Sequence, residues 1–230
     1  MDLMMFGALD ELLLKTGLSP DRIDFLIVNV SMFYPAPSLS SHLVHHYKMR
    51  DDVKTFNISG IGCAAGMVAV DLAKDILRVH KNKYVVIVGT ENITLNWYYG
   101  NDKSMLVPNC LFRCGSYALL MSNKSEDRHR SKFELVQSVR TTTGASDTSY
   151  NVIVTKEDDD GICCLEGVER REAAAWMECI DNYPVEISDS ITPSHKFYGA
   201  VKLCEAEATA TEEDIQKLEE EHRRRQQAHD

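Results

Sequence analysis

The first two thirds of the sequence predict an α/β layered domain. Two observations carry this. Three strand-length stretches, the apolar Ile23–Val28 and Tyr84–Val88 and the mixed Val53–Ile58, alternate with segments whose apolar residues recur at helical spacing. The turns between them are short, so strand, helix, strand, helix, strand follow one another as crossover connections require.

Leu3 to Lys15 places Met5, Leu9, Leu12 and Leu13 at helical spacing, and Gly17 stands just past the end as a C-cap. Ser19-Pro20-Asp21 is a turn. Ile23–Val28 is a continuous apolar run, the pattern of a parallel strand covered on both faces. Pro35-Ala36-Pro37 breaks the chain, and Ser38 or Ser40 can cap a helix through Leu43, Val44 and Tyr47. Val53–Ile58 is the second strand and Tyr84–Val88 the third. Glu91 to Asn109, polar and aromatic, is expected as a long loop after a strand end, where function collects. Tyr117–Met121 and Lys132–Thr142 are expected as strands joined by a solvated hairpin tip, Asn123–Arg130.

Between the second strand and the next helix lies Asn57-Ile58-Ser59-Gly60-Ile61-Gly62-Cys63-Ala64-Ala65-Gly66. This is a glycine-flanked elbow carrying a cysteine. The helix that follows keeps Ala65, Ala69, Leu72, Ala73 and Ile76 on one face, with Asp71, Lys74 and Asp75 off it. Cys63 is therefore expected at the first helical turn. Unpaired N–H groups and the positive end of the helix dipole lie there and favour a thiolate. A nucleophile is presented in this way, although a lone cysteine can equally be a small buried hydrophobe.

Charge divides the chain in two. Residues 156–230 hold nine Lys+Arg against 20 Asp+Glu, net −11, while residues 1–155 hold 16 against 15, net +1. The expected organisation is a near-neutral domain over 1–155 and an unassigned acidic extension over 156–230. In the extension, Lys156–Gly161 is read as an acidic linker, periodicity fails, and Thr211 caps a last, thinly apolar helix. No basic stripe marks a nucleic-acid binder. Seven cysteines without a signal peptide point to reduced thiols. The longest apolar runs, such as YVVIVG, are too short to span a membrane.

The segments around the elbow resemble the plant 3-ketoacyl-CoA synthases, the condensing enzymes of very-long-chain fatty acid elongation. The stretches that carry the resemblance are MFGALDELLLKTG, VNVSMFYPAPSLSSHLVHHYKMR, GIGCAAG, DLAKDIL, GTENITLNWYYGNDKSMLVPNCLFR and SKFELVQSVRTTTGASD, covering residues 1–150. The resemblance implies one half of a thiolase-like layered fold, with Cys63 as the nucleophile. It implies that Cys63 takes an acyl chain from acyl-CoA as a thioester, which the carbanion from decarboxylating malonyl-CoA then attacks. The backbone N–H of Cys63 is the expected first oxyanion donor. No cofactor beyond these two substrates is implied. Homodimerisation or pairing with a related synthase is implied, as is the endoplasmic reticulum membrane. The family carries a membrane anchor and a first core strand upstream of what is Met1 here; both are expected to be absent from this chain, and a cytosolic location is the alternative.

The chain departs from the family pattern at three internal places. Thr142 stands where the family has His. Tyr117 stands in Phe112-Arg113-Cys114-Gly115-Ser116-Tyr117-Ala118 in place of a small residue, where overpacking is expected. The His and Asn that the family's second half supplies have no match in residues 156–230, so His195, His222 and His229 receive no role. The expected function is a synthase-type acyltransferase impaired by truncation. The alternative is a non-catalytic partner, or a truncated product, that pairs with an intact synthase.

Other candidates are weaker. Cys110 with Cys114, and Cys163 with Cys164, lack the CxxC spacing of a zinc site, and no metal site is expected. His42, His45 and His46 cluster on an amphipathic helix as surface or core residues. His42, His46 and His80 are available to a Cys63 triad but lack a signature context. Trp97-Tyr98-Tyr99 is expected to line an acyl tunnel, to form an interface or to pack as a loop.

Overall fold

The computed structural model describes residues 1–138, 145, 147–150, 153–167, 185–188 and 198–200. Thr142, His195, His222, His229 and the helix expected from Thr211 lie outside the described residues.

Helix α1 (Asp2–Thr16) ends at Gly17 and buries Met5, Ala8, Leu9 and Leu12. Strand β1 (Phe25–Asn29) is buried along its whole length. Ser38 caps helix α2 (Leu39–Tyr47), its side chain accepting the N–H of Ser41. Strand β2 (Lys54–Ile58) leads into a 3-10 turn (Gly62–Ala64) and helix α3 (Ala65–Val79), and strand β3 (Tyr84–Glu91) follows. Strand β4 (Gly115–Ser122) comes next, and a short strand β9 (Tyr198–Ala200) closes the sheet, whose order is β2-β1-β3-β4-β9. The first three strands are parallel, β4 runs against β3, and β9 against β4.

Because side chains alternate across a strand, the sheet has two apolar faces. Leu26, Val28, Tyr84, Val86, Val88, Ala118 and Leu120 pack under α1 and α2. Phe25, Ile27, Val85, Ile87, Leu119 and Met121 pack under α3, through Ala69, Ala73, Ile76 and Leu77. The parallel strands all deliver their carboxyl ends to one edge, with Asn29 paired to Ile58 on one side and to Gly89 on the other.

Three expectations are corrected. The stretch after β3 is not all loop, because Lys103–Leu111 forms helix α4, which carries Pro108 inside it. Asn123–Arg130 is not a solvated hairpin tip. It holds a 3-10 turn (Ser125–Arg130), and strand β5 (Glu134–Ser138) leaves β4 to pair with β8 (Val185–Ser188) in a separate sheet. Its charge is partly internal. Asp127 is 5% exposed and takes bonds from Ser122 Oγ (2.6 Å), Arg130 Nε (2.9 Å) and Tyr84 Oη (3.3 Å). The acidic stretch Lys156–Gly161 is the end of a strand and a turn, not a linker: β6 (Ile153–Glu157) pairs antiparallel with β7 (Cys163–Gly167). The acidic residues turn the hairpin because Asp158 Oδ1 accepts the N–H groups of Asp160 (3.0 Å) and Ile162 (2.7 Å).

Candidate active site

The elbow after β2 is built at the carboxyl edge of the parallel strands, the usual place for ligand sites in open α/β sheets. Val30 donates its N–H to Ile58 O (3.0 Å), and Gly60 donates to Ser31 O (3.1 Å), so the chain leaving β2 stays tied to the chain leaving β1. Gly60 and Gly62 have φ of 73° and 74°, the left-handed region that glycine enters without strain. Between that bend and α3, the structure places Cys63 in the Gly62–Ala64 turn, its thiol free and exposed.

The electrostatics at the sulfur differ from the expectation. Loss of water to the atoms packed around it, with the nearby Glu91 carboxylate adding to the effect, pushes the thiol above its ordinary value. Its own backbone N–H works in the opposite direction. The helix start alone therefore does not set a low pKa here.

Glu91, the last residue of β3, was not singled out by the sequence reading. One carboxylate oxygen accepts the N–H of Ser31 (2.8 Å); the other accepts those of Met32 (3.4 Å) and Asn92 (3.1 Å). It binds the loop after β1 to the end of β3. The signal available in the sequence was its position, a carboxylate ending a run of apolar strand residues.

Tyr117 does not overpack the sheet. Glycines on two sides receive its ring: a Cβ at Gly66 would lie 2.5 Å from the tyrosine oxygen, and one at Gly89 would lie 2.0 Å from Cε1. The hydroxyl donates to Asn29 Oδ1 (2.9 Å) at the end of β1.

The three neighbouring aromatics separate. Tyr98 is buried, and Asn109 holds its backbone, accepting Tyr98 N–H (3.1 Å) and donating to Tyr98 O (2.8 Å). Trp97 and Tyr99 are exposed and line a hollow of about 280 Å³ with Ile93, Thr94, Phe112, Arg113 and Cys114. Tyr98 Oη donates to Asp158 Oδ2 (2.5 Å) and so fastens the β6–β7 turn to the loop before α4.

The candidate histidines are engaged elsewhere. His42 meets Asp2 of α1 (3.3 Å), His46 stacks on Phe6 (ring centroids 3.9 Å apart), and His80 lies beyond the far end of α3 against Phe25. His45 is exposed on α2. Cys110 and Cys114 are free and exposed; the side chains of Cys163 and Cys164 lie outside the described residues. Among the described residues, no three His, Cys, Asp or Glu side chains gather as metal ligands.

The family described as FAE1/type III polyketide synthase-like protein matches residues 1–174. The chain belongs to that family. 3-Ketoacyl-CoA synthase 9 of Arabidopsis thaliana is 54% identical over 158 residues, which cover 69% of this chain and 31% of that protein. 3-Ketoacyl-CoA synthase 16 of the same plant is 55% identical over 159 residues, covering 69% and 32%. The chain thus spans about a third of the length of these curated relatives. Germicidin synthase from Streptomyces coelicolor, a type III polyketide synthase, superposes with a TM-score of 0.63 at 20% identity, covering 78% of this chain and 47% of that one. The fold is accordingly the thiolase-like α/β type, represented by close to one half of its neighbour.

Proposed function

We propose that the chain carries the acyl-accepting half of a very-long-chain 3-ketoacyl-CoA synthase, with Cys63 as the nucleophile. One observation carries this reading: Cys63 is an exposed thiol on a glycine bend at the carboxyl ends of the parallel strands, in a chain more than half identical to plant 3-ketoacyl-CoA synthases across that region.

In the proposed step, the Cys63 sulfur attacks the carbonyl of an acyl-CoA. A new S–C bond forms, the bond from that carbonyl to the coenzyme A sulfur breaks, and the thiol proton leaves with the coenzyme A thiol. Because burial and Glu91 disfavour the thiolate, the step should accelerate with pH through the neutral and mildly alkaline range. Malonyl-CoA is the second substrate in this reading. Its condensation needs the His and Asn of the family's other half, so acyl acceptance is the half-reaction assigned to residues 1–155, with residues 156–230 left without a catalytic part. Incubation with radiolabelled long-chain acyl-CoA should label the wild-type chain and not Cys63→Ala; an unlabelled wild-type chain would remove the proposal.

A second reading is favoured by β2. It is the edge strand of the sheet, its first four residues are exposed, and Phe56 and Ile61 beside the elbow are 36% and 41% exposed. Such an edge can pair with a second copy or an intact synthase. Co-purification with a full-length synthase would support this, and a chain that stays monomeric beside one would count against it. Residence at the endoplasmic reticulum membrane is part of the proposal through the resemblance alone. Among the described residues, no helix is long and apolar enough to cross a membrane.

A further inference from the structure

We infer that Tyr117 is a positioning residue for Cys63: its ring between Gly66 and Gly89, and its hydroxyl on Asn29, set how the opening turn of α3 lies over the ends of β1 and β3. The inference takes from the preceding section only the importance of Cys63 and is tested without any acyl substrate.

Gly66 follows Cys63 by three positions, so the two are near neighbours on the first turns of the helix. The tyrosine oxygen occupies the space a Cβ at Gly66 would take, and Cε1 occupies that at Gly89. One ring therefore spaces α3 from β3. The hydroxyl adds a third element, because its acceptor Asn29 is the last residue of β1 and only 7% exposed. The bond is partly buried, so losing it costs more than losing a fully exposed one. The N–H that lowers the thiol is the backbone N–H of Cys63 itself, in the turn this ring supports, and Glu91 is the charged group acting on the sulfur from β3. If the turn shifts, the Cys63 side chain loses its set alignment with that N–H, while Glu91, held by three backbone donors, stays in place.

The test is the rate of Cys63 alkylation by iodoacetamide between about pH 6 and about pH 10, read on the Cys63 peptide by mass spectrometry. The variants are Tyr117→Phe, Gly66→Ala, the double variant, and Tyr84→Phe as a control. Tyr84, more deeply buried in the same sheet, also loses a hydroxyl bond, to Asp127. Tyr117→Phe should slow alkylation at about pH 7.5 by roughly 3- to 10-fold and move the inflection upward. Gly66→Ala should do the same, since its methyl strikes the tyrosine oxygen. The double variant should react faster than Gly66→Ala alone, because the next ring atom lies 3.4 Å away. Tyr84→Phe should leave the profile in place.

A Tyr117→Phe profile that superimposes on the wild type, or an equal shift in Tyr84→Phe, overturns the inference. If Tyr117→Phe fails to fold, an unshifted Gly66→Ala profile overturns it instead. A shifted profile in a chain that takes no acyl label would remove the acyl role of Cys63 and leave the positioning role standing.

Discussion

The carboxylate of Glu91 accepts the backbone N–H of Ser31 at 2.8 Å, joining residues 60 positions apart at the end of β3 and the start of the loop after β1. Loss of water raises the Cys63 thiol most and the same carboxylate adds to it, so one side chain both closes the carboxyl edge of the sheet and disfavours charge on the sulfur. Glu91→Gln separates the two effects. The amide keeps one accepting oxygen and loses the charge. Stability should fall by about 0.5–1.5 kcal/mol in urea, while the inflection of Cys63 alkylation moves to lower pH. An inflection that stays put or rises would show that the carboxylate does not act on the sulfur.

Asp127 is a buried carboxylate that accepts bonds from three side chains. Removing it with Ala leaves Ser122 and Tyr84 without their acceptor and Arg130 without its partner. Asp127→Ala should cost about 2–4 kcal/mol in urea unfolding. Glu126→Ala, next to it and exposed, should cost less than about 0.5 kcal/mol. Equal effects would return this stretch to the solvated turn the sequence suggests.

The Tyr98–Asp158 bond predicts a local effect. A methyl on Gly100 would lie 2.2 Å from Tyr98 Oη and 2.7 Å from Asp158 Oδ2. Gly100→Ala should therefore raise amide hydrogen exchange in the β6–β7 hairpin and leave exchange in β1 and β3 unchanged. Unaltered exchange in the hairpin would mean that this bond does not hold it. The Tyr98 bond, then the Ile162 and Asp160 N–H groups, hold Asp158 below the ordinary carboxylate range despite some desolvation. The fastening is thus formed above the ordinary carboxylate pKa and is lost as pH falls through the lowered one.

Asp24 carries the acid sensitivity of the main sheet. Burial works against its charge, but Lys83, the N–H of Tyr84 and Arg50 outweigh it and hold the carboxyl below its usual value. A depressed folded pKa stabilises fully above the unfolded value of about 3.9 and is lost as pH falls through the folded one. The urea midpoint of the wild type should fall between about pH 5 and about pH 2 more steeply than that of Asp24→Asn. Parallel curves would contradict this.

The parts of the fold that were legible are those where burial leaves a regular mark. Residues 25–28 and 84–88 are covered on both faces and read as unbroken apolar runs. Gly17 and Ser38 bound their helices with the residue types those ends require. The bend that carries Cys63 was legible because Gly60 and Gly62, both at positive φ, stand just before it. The rest was hidden by local composition. Pro108 and Asn109 disguise α4 as loop, yet Asn109 is buried to hold the Tyr98 backbone. The acids of Glu126–Asp127 and Asp158–Asp160 look solvated, but one in each group accepts hydrogen bonds from residues distant in sequence or from its own turn. Tyr117 looked too large because the two glycines that receive it are 51 and 28 positions earlier, a pairing no local pattern shows.

The central claim is that Cys63 accepts an acyl group, and peptide-level mass spectrometry after exposure to a long-chain acyl-CoA addresses it most directly. Cys110 and Cys114 are also free and exposed and serve as internal comparisons. The account predicts one hydroxylamine-labile acyl mass on the Cys63 peptide, absent from Cys63→Ala, with Cys110 and Cys114 unmodified. Acylation spread evenly over the three thiols, or none at Cys63, would contradict it.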